Sequence, residues 1–209
     1  MLRLQVDKQE SKMNFIQNPT FLSPEDTMLF IVDVQEKLLP AMTDKKETLW
    51  NIRRLIEAAK LFDVPILVTE QYPQGLGQTT PDIKSILPEK TPIFQKKSFS
   101  ACLCHDVMIF LEKNKNIQKI ILCGIENHVC VLQTALDLLA IGCQVNIVTN
   151  AVTSRFEKDC NFAFRRMETS GVFLCTTESV IFELCRTADA PQFKTVSRLI
   201  REKFTDQQQ

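Results

Sequence analysis

The feature that most constrains the fold is a change of periodicity between residues 119 and 139. Residues 120–122 form an aliphatic run, Ile-Ile-Leu, that is typical of a buried strand. The run stops at Gly124, and the apolar residues beyond it have the i, i+4, i+7, i+8 spacing of a helix, at Val131, Ala135, Leu138 and Leu139. A strand therefore ends here, the chain turns, and a helix begins with Cys130 in its first turn.

The same alternation of apolar runs and helical spacing extends over most of the chain. In residues 27–34, T-M-L-F-I-V-D-V, five apolar residues in a row indicate a strand that is covered on both faces. The predicted strands are 27–34, 65–69, 91–96, 117–123, 144–149 and 171–175. The predicted helices are 45–62, 106–113, 131–141, 158–170, 177–186 and 191–204, with a turn at 150–155. Buried strands alternating with helices predict an α/β fold with one doubly wound, mostly parallel six-stranded sheet.

Composition limits the class of protein. A chain of 209 residues with 44% hydrophobic and 24% charged residues is typical of one soluble domain. The charges of its 25 basic and 25 acidic residues cancel. The sequence also lacks a Lys/Arg stripe with interleaved aromatic residues, so nothing indicates a nucleic-acid partner. No run approaches the roughly 18 apolar residues that a membrane span needs, and residues 1–12 lack the apolar core of a secretory signal. We expect a cytoplasmic protein with no membrane partner, an N-terminal extension at 1–22, one domain at 23–204 and a disordered tail at 205–209.

The eight cysteines are better explained as free thiols than as disulfides. Four of them lie inside apolar patterns, where cysteine serves as a small hydrophobic residue: Cys123, Cys143, Cys175 and Cys185. Cys102 and Cys104 form a C-x-C motif, which is a weak zinc signal without a second cysteine pair. This pattern favours a reducing compartment.

Three chemically capable residues fall at the carboxyl ends of predicted strands, where open parallel sheets bind their ligands. Cys130 is either a small buried residue or a nucleophile whose thiolate the helix N-terminus stabilises. Asp33 is either a cap or ion-pair partner, or a buried general base. Lys96 is either solvated beside Lys97 or paired with both groups, since strand alternation lets only one of the two lysines point inward.

Two further possibilities concern the groups around Cys130. A Cys–His pair would need His128 or His105, and His128 is too close in sequence to face the thiol comfortably across a turn. Gly124 would let backbone N–H groups approach a ligand closely, so that they could form an oxyanion hole with the N–H of Cys130.

Three motifs in this order resemble the isochorismatase-like cysteine hydrolase superfamily. They are FIVDVQ at 30–35, KKSFS at 96–100 and CGIENHVCVLQTA at 123–135, of which the third is the most specific. The resemblance extends over roughly residues 27 to 203, nearly the whole chain. VTEQYPQGLG at 68–77 and APQFK at 190–194 are most similar to the isochorismatase domain-containing subgroup.

The resemblance implies a three-layer αβα sandwich and an Asp–Lys–Cys catalytic triad. In this sequence Asp33 takes the position of the base and Cys130 that of the nucleophile. The family lysine precedes an aromatic residue by three positions, which selects Lys96 before Phe99.

The resemblance also implies a cis peptide bond between Ile125 and Glu126, next to backbone N–H groups that would form the oxyanion hole. We expect the oxyanion hole and substrate contacts at four residues, Gln35, Phe99, Glu126 and Val129. A homo-oligomer, either a dimer or a tetramer, is also implied.

Departures from the family narrow the predicted chemistry. Nicotinamidases of the superfamily hold a metal through histidines near the second strand, and residues 43–77 contain none, so we expect no metal and no cofactor. True isochorismatases lack the cysteine. We therefore predict a cysteine hydrolase that acts on an amide or related C–N bond of a small molecule. The alternatives are a catalytically silent binding or scaffold protein, and a thiol redox sensor, for which Cys123 is the nearest cysteine in sequence.

Overall fold

A central sheet of six strands lies between two layers of helices in the computed structural model, which describes residues 18–205. The strands are β1 (Thr27–Val32), β2 (Ile66–Gln71), β3 (Ile93–Lys96), β4 (Lys119–Ile125), β5 (Gln144–Thr153) and β6 (Phe173–Cys175). The helices are α1 (Lys45–Leu61), the single turns α2 (Pro73–Leu76) and α3 (Pro81–Lys84), α4 (His105–Lys113), α5 (Leu132–Ala140), α6 (Glu157–Thr169), α7 (Thr177–Cys185) and α8 (Phe193–Arg201).

The strand order β3-β2-β1-β4-β5-β6 makes the sheet doubly wound. All five strand pairings are parallel, so the predicted sheet is confirmed and is entirely parallel. The chain runs outward from β1 to β3, then returns to place β4 on the other side of β1. Ligands in such sheets bind at this switch point, beyond the carboxyl ends of β1 and β4.

The core explains why β1 and β4 lack polar alternation. All six residues of β1 are fully buried, and six of the seven residues of β4 are buried. Helices α1 and α7 contact each other, as do α5 and α6, and each pair also contacts β5. Both faces of the sheet are therefore covered, which requires apolar residues on both. No helix within the described range is long and apolar enough to cross a membrane.

Strand β5 corrects the turn that we predicted at 150–155. It continues to Thr153, which pairs with Ile125 beyond a register shift in β4 between Leu122 and Gly124. Asparagine is common in turns, but Asn150 is half-buried within the strand. Its Oδ1 accepts hydrogen bonds from the backbone N and Oγ1 of Thr177, at 2.9 and 3.0 Å. The polar side chain thus positions the start of α7 without ending the strand.

The packed core includes Leu22, one residue before the predicted domain start at residue 23. Leu22 is 1% exposed and belongs to the main core, and its backbone N–H donates to Glu183 Oε2 at 3.1 Å. The rest of the predicted extension up to residue 17, and the predicted tail from residue 206, lie outside the described residues.

Gly124 is required by the contact between β1 and β4. Its φ is +125°, and a Cβ atom there would lie 2.1 Å from the backbone oxygen of Val32, its partner in β1. No L side chain fits this approach. From the sequence we expected this glycine to let backbone N–H groups approach a ligand, but its immediate neighbour is the adjacent strand.

Candidate active site

Asp33 directly follows β1 in the left-handed region, with φ 52°, and is fully buried. Its backbone N–H donates to the Thr69 carbonyl oxygen at 3.1 Å. Its Oδ1 accepts from Thr69 Oγ1 at 2.9 Å. The end of β2 therefore fixes both the backbone and the carboxylate of Asp33, and the second carboxylate oxygen remains for other partners.

Lys96, the last residue of β3, supplies the charge that faces this carboxylate. Its Nζ lies 2.6 Å from Asp33 Oδ2, and both side chains are inaccessible to solvent. The same ammonium donates to Gln71 Oε1 at 2.9 Å and to the carbonyl oxygens of Ser98 and Phe99 at 3.1 and 3.0 Å. A buried ion pair is tolerated where its remaining donors are satisfied in this way. Lys97 is exposed, so Lys96 is the inward lysine, as strand alternation predicts.

Cys130 lies in a π-helical turn, Asn127–Val131, between β4 and α5, and is 6% exposed. Its thiol interacts with the Asp33 carboxylate. Burial, together with the negative charge of Asp33, raises the pKa of the Cys130 thiol to about 12, although Lys96 opposes the shift. The expected stabilisation of a thiolate by the helix start is therefore outweighed by desolvation. The resting thiol is protonated and needs a base.

Asp33 is placed to be that base. Burial raises the pKa of its carboxyl above the ordinary value, while Lys96 and the hydrogen bonds from Cys130 and Thr69 oppose the rise. A raised pKa makes a carboxylate a better proton acceptor than it is in water. The Asp33 carboxyl and the Cys130 thiol therefore interact beside the positive charge of Lys96.

The turn that carries Cys130 is held from the end of β5. The Ile125–Glu126 peptide bond at its start is cis. Glu126 Oε2 accepts from the backbone N–H and from Nε of Arg155, at 3.2 and 3.0 Å. His128 Nδ1 lies 2.9 Å from Ser154 Oγ, so the histidine faces Ser154, and nothing in this arrangement supports a Cys–His pair.

Two of the four expected oxyanion and substrate residues are engaged within this turn. The carboxylate of Glu126 is committed to Arg155, and its carbonyl oxygen accepts from the N–H of Val129 at 3.1 Å and of Val131 at 3.2 Å. The N–H of Val129 is therefore not free to receive an oxyanion in this conformation. An oxyanion hole at the turn remains a prediction.

The side chain of Gln35 is engaged within the protein, and its expected role as a substrate contact stays a prediction. Its side chain is fully buried and donates to the carbonyl oxygens of Gln71 and Gly77 at 3.0 and 2.6 Å, while its Oε1 accepts from the N–H of Gln71 at 2.7 Å. Both amide hydrogens are used, so Gln35 clamps the segment after β2. Phe99 contributes its carbonyl oxygen to Lys96, and its ring is 54% exposed beside the site.

The family follows from comparison with known proteins. Residues 27–179 match the isochorismatase domain. The chain belongs to the isochorismatase-like hydrolase family. Mouse isochorismatase domain-containing protein 2A is 41% identical over 185 residues, covering 88% of this chain and 86% of the mouse protein, which confirms the predicted subgroup.

Two solved structures superimpose closely on this fold. One is described as the MAR1 ribonuclease of Caenorhabditis elegans, with 44% identity and a TM-score of 0.83, covering 89% of this chain and 95% of the other. The second is the YcaC gene product of Escherichia coli, described as an octameric hydrolase of unknown specificity. It has 25% identity and a TM-score of 0.81, covering 88% of this chain and 91% of the other.

Sequence reasoning missed Thr69 and Gln71, which contact the Asp–Lys pair of this family member directly. Thr69 donates to Asp33, and Gln71 accepts from Lys96 Nζ and donates from Nε2 to the Lys97 carbonyl oxygen at 2.7 Å. We predicted that this strand ends at residue 69, whereas β2 continues to Gln71. Spacing by two puts both side chains on one face of the strand. Both residues lie near the carboxyl end of β2, so a search for site residues at that strand end as well would have found them.

The remaining sulfur and metal expectations concern groups outside this site. All eight cysteines of the sequence are free. Cys123 is fully buried in β4, where burial raises the pKa of its thiol. Between residues 18 and 205, no three His, Cys, Asp or Glu side chains are grouped so as to hold a metal ion.

Proposed function

We propose that this protein is a cysteine hydrolase that cleaves an amide or related C–N bond of a small molecule. The observation that carries the proposal is the meeting of three strand ends at the switch point. Asp33 after β1, Lys96 at the end of β3 and Cys130 after β4 form one buried group, in which the carboxylate is paired with the ammonium and also interacts with the thiol. A purely structural ion pair would not need a thiol on the carboxylate, and perturbed titratable groups are typical of active sites.

We propose that Asp33 and Cys130 share one proton, and the reaction follows from this. Asp33 takes the proton of the Cys130 thiol as the sulfur attacks the carbonyl carbon of the substrate, and backbone N–H groups of the turn receive the oxyanion. Collapse of the tetrahedral intermediate breaks the C–N bond, and Asp33 gives its proton to the leaving amine. Water, deprotonated by Asp33, then attacks the thioester; the C–S bond breaks to free the acid, and Asp33 returns the proton to the Cys130 sulfur. Lys96 keeps its charge throughout and orients Asp33.

The proposal is tested with a panel of small amides, with release of ammonia or amine as the signal. For any amide that is turned over, Cys130→Ala abolishes release, because the nucleophile is lost. The matched control is Cys143→Ala, which removes a half-buried cysteine outside the site and preserves turnover. Equal turnover by the Cys130→Ala variant and the unmodified protein contradicts the mechanism.

A second candidate function is RNA cleavage, because the C. elegans relative with 44% identity is described as a ribonuclease. The balanced charge of this chain does not favour RNA binding, which depends on a basic surface. Incubation with end-labelled RNA distinguishes the two candidates. Cleavage that is absent from the Cys130→Ala variant favours the ribonuclease, and intact RNA beside amide turnover favours the amidase.

A silent binding protein of the same fold is the third possibility. It predicts that no amide and no RNA is turned over, while Cys130 alkylates with the ordinary thiol pKa of about 8.5.

We also propose that the protein forms a homo-oligomer in the cytoplasm. The octameric E. coli relative and the free cysteines support these two points. Light scattering tests the assembly, and the mass of a single chain contradicts it.

A further inference from the structure

A groove between α1 and α8 collects positively charged side chains. It consists of two adjoining cavities of about 440 and 410 Å³, which share Glu57, Leu199 and Glu202 as wall residues. Five cationic side chains line the α1–α8 groove, from Arg53, Arg54, Lys60, Arg198 and Lys203. None of the residues of the candidate active site lines it.

The carboxylates of the α1–α8 groove do not neutralise these cations. Glu57 is already paired with Lys60 at 3.0 Å. Within residues 18–205, no carboxylate lies within 4.0 Å of Arg53, Arg54 or Lys203. The groove therefore holds an excess of positive charge, although the net charge of the whole chain is zero.

Arg54 is the buried member of this group. It is 5% exposed, its guanidinium lies 4.4 Å from the Trp50 ring centroid, and its Nη1 donates to Asn51 Oδ1 at 3.2 Å. Its Nε is buried and has no acceptor in the described part of the chain. Glu178 and Glu202 act on it only at longer range.

A buried guanidinium with a single neutral acceptor is incompletely satisfied, because its five N–H donors form a fork that suits two oxygens of one group. Carboxylates and phosphates bind such a fork in a bidentate manner. The wall residues Trp50 and Leu199 add an apolar surface beside this charge.

We infer that the α1–α8 groove is a binding site for a small organic oxyanion. The carboxylate or phosphate group of the ligand faces Arg54, with Arg53 and Lys203 at the rim, and its apolar body lies against Leu199. The site is separate from the proposed catalytic residues, so its occupancy does not depend on Cys130.

Trp50 makes the inference testable, because it is the only tryptophan of the chain and lines the groove. Cyclohexanecarboxylate should change the tryptophan emission in a saturable manner, whereas neutral cyclohexylmethanol, of similar shape, should not. Inorganic phosphate tests the bare oxyanion. Saturation by phosphate alone identifies a phosphate site, and saturation by the carboxylate alone identifies a carboxylate site.

Arg54→Met should weaken the affinity for the saturating anion at least about tenfold by calorimetric titration, because the bidentate charge is removed. Arg54→Lys, which keeps the charge and protects the fold, should be intermediate because it lacks the fork. The matched control Arg166→Met changes an exposed arginine on α6 and should bind normally. No saturation by either anion, or equal affinity in the unmodified, Arg54→Lys and Arg54→Met proteins, overturns the inference.

Discussion

At the scale of single residues, the site is governed by how burial shifts proton affinity. Cys130 and Asp33 both have raised pKa values because both are desolvated, and the Lys96 ammonium opposes both shifts. The proposed mechanism requires the thiol proton to move to Asp33, which is the arrangement of a nucleophile–base pair. From the sequence we expected a stabilised thiolate at Cys130, because the sequence shows where the helix starts but not how deeply the thiol is buried.

Lys96→Met should destabilise the protein in a pH-dependent manner. The folded-state pKa of Asp33 lies above its unfolded value, so the ionised carboxylate lowers stability as pH rises from the unfolded pKa through the folded pKa. Removing Lys96 raises the folded pKa further and leaves a buried charge unpaired. Urea unfolding should show a loss of about 3–5 kcal/mol near neutral pH and a smaller loss in acid.

Lys97→Met is the matched control for this change, because Lys97 directly follows β3 and is exposed. It should alter stability by less than about 0.5 kcal/mol at every pH. If the two lysine variants unfold alike, the buried ion pair does not have the energetic role assigned to it.

Gln71→Met should lower kcat by about tenfold with little change in KM. Gln71 accepts a hydrogen bond from Lys96 at 2.9 Å, and a bond to a charged group contributes roughly 1.5–3 kcal/mol. The loss should fall on kcat because the residue orients Lys96 and Asp33 without contacting the substrate. Steady-state kinetics measures the effect, with Gln118→Met, an exposed glutamine, as the control. A change confined to KM would show that Gln71 binds substrate.

At the scale of elements, the approach of β4 to β1 brings the Cys130 turn to Asp33. That approach depends on Gly124, which pairs with Val32 without room for a side chain. The strand, turn and helix around this glycine could be predicted from periodicity alone, since the spacing changes from a continuous apolar run to i, i+4. The contact between the two strands could not, because one sequence does not show which strands are neighbours.

Gly124→Ala should therefore destabilise the protein by more than about 4 kcal/mol, or prevent folding. Gly142→Ala is a matched control, because Gly142 also has positive φ, +92°, but nothing lies within 4 Å of the position of its Cβ. The control should lose only the backbone strain of about 1–2 kcal/mol. Thermal or urea unfolding measures both variants, and equal losses would mean that the clash with Val32 is relieved by movement of the strand.

At the scale of the whole molecule, the site lies where the winding of the sheet reverses, between β1 and β4. The rule that parallel sheets bind ligands beyond the carboxyl ends of their strands predicted from sequence that Asp33, Lys96 and Cys130 lie at one edge. It did not distinguish residues that face the reaction from residues that hold the frame. It also did not show that Gln35 donates hydrogen bonds to Gln71 and Gly77, because side-chain hydrogen bonds depend on distances that residue spacing does not encode.

The central claim is that Asp33 and Cys130 share one proton beside Lys96, and the rate of Cys130 alkylation against pH tests it without a substrate. Iodoacetamide labelling, followed at Cys130 by peptide mass spectrometry, is compared between the unmodified protein and Asp33→Asn. In the unmodified protein the rate should still be rising at about pH 10, because the pKa of the Cys130 thiol lies above the ordinary thiol value. Asp33→Asn removes the negative charge but keeps Lys96, so its labelling curve should shift to lower pH while amide turnover is lost. Identical curves centred on the ordinary thiol pKa in both proteins would contradict the account.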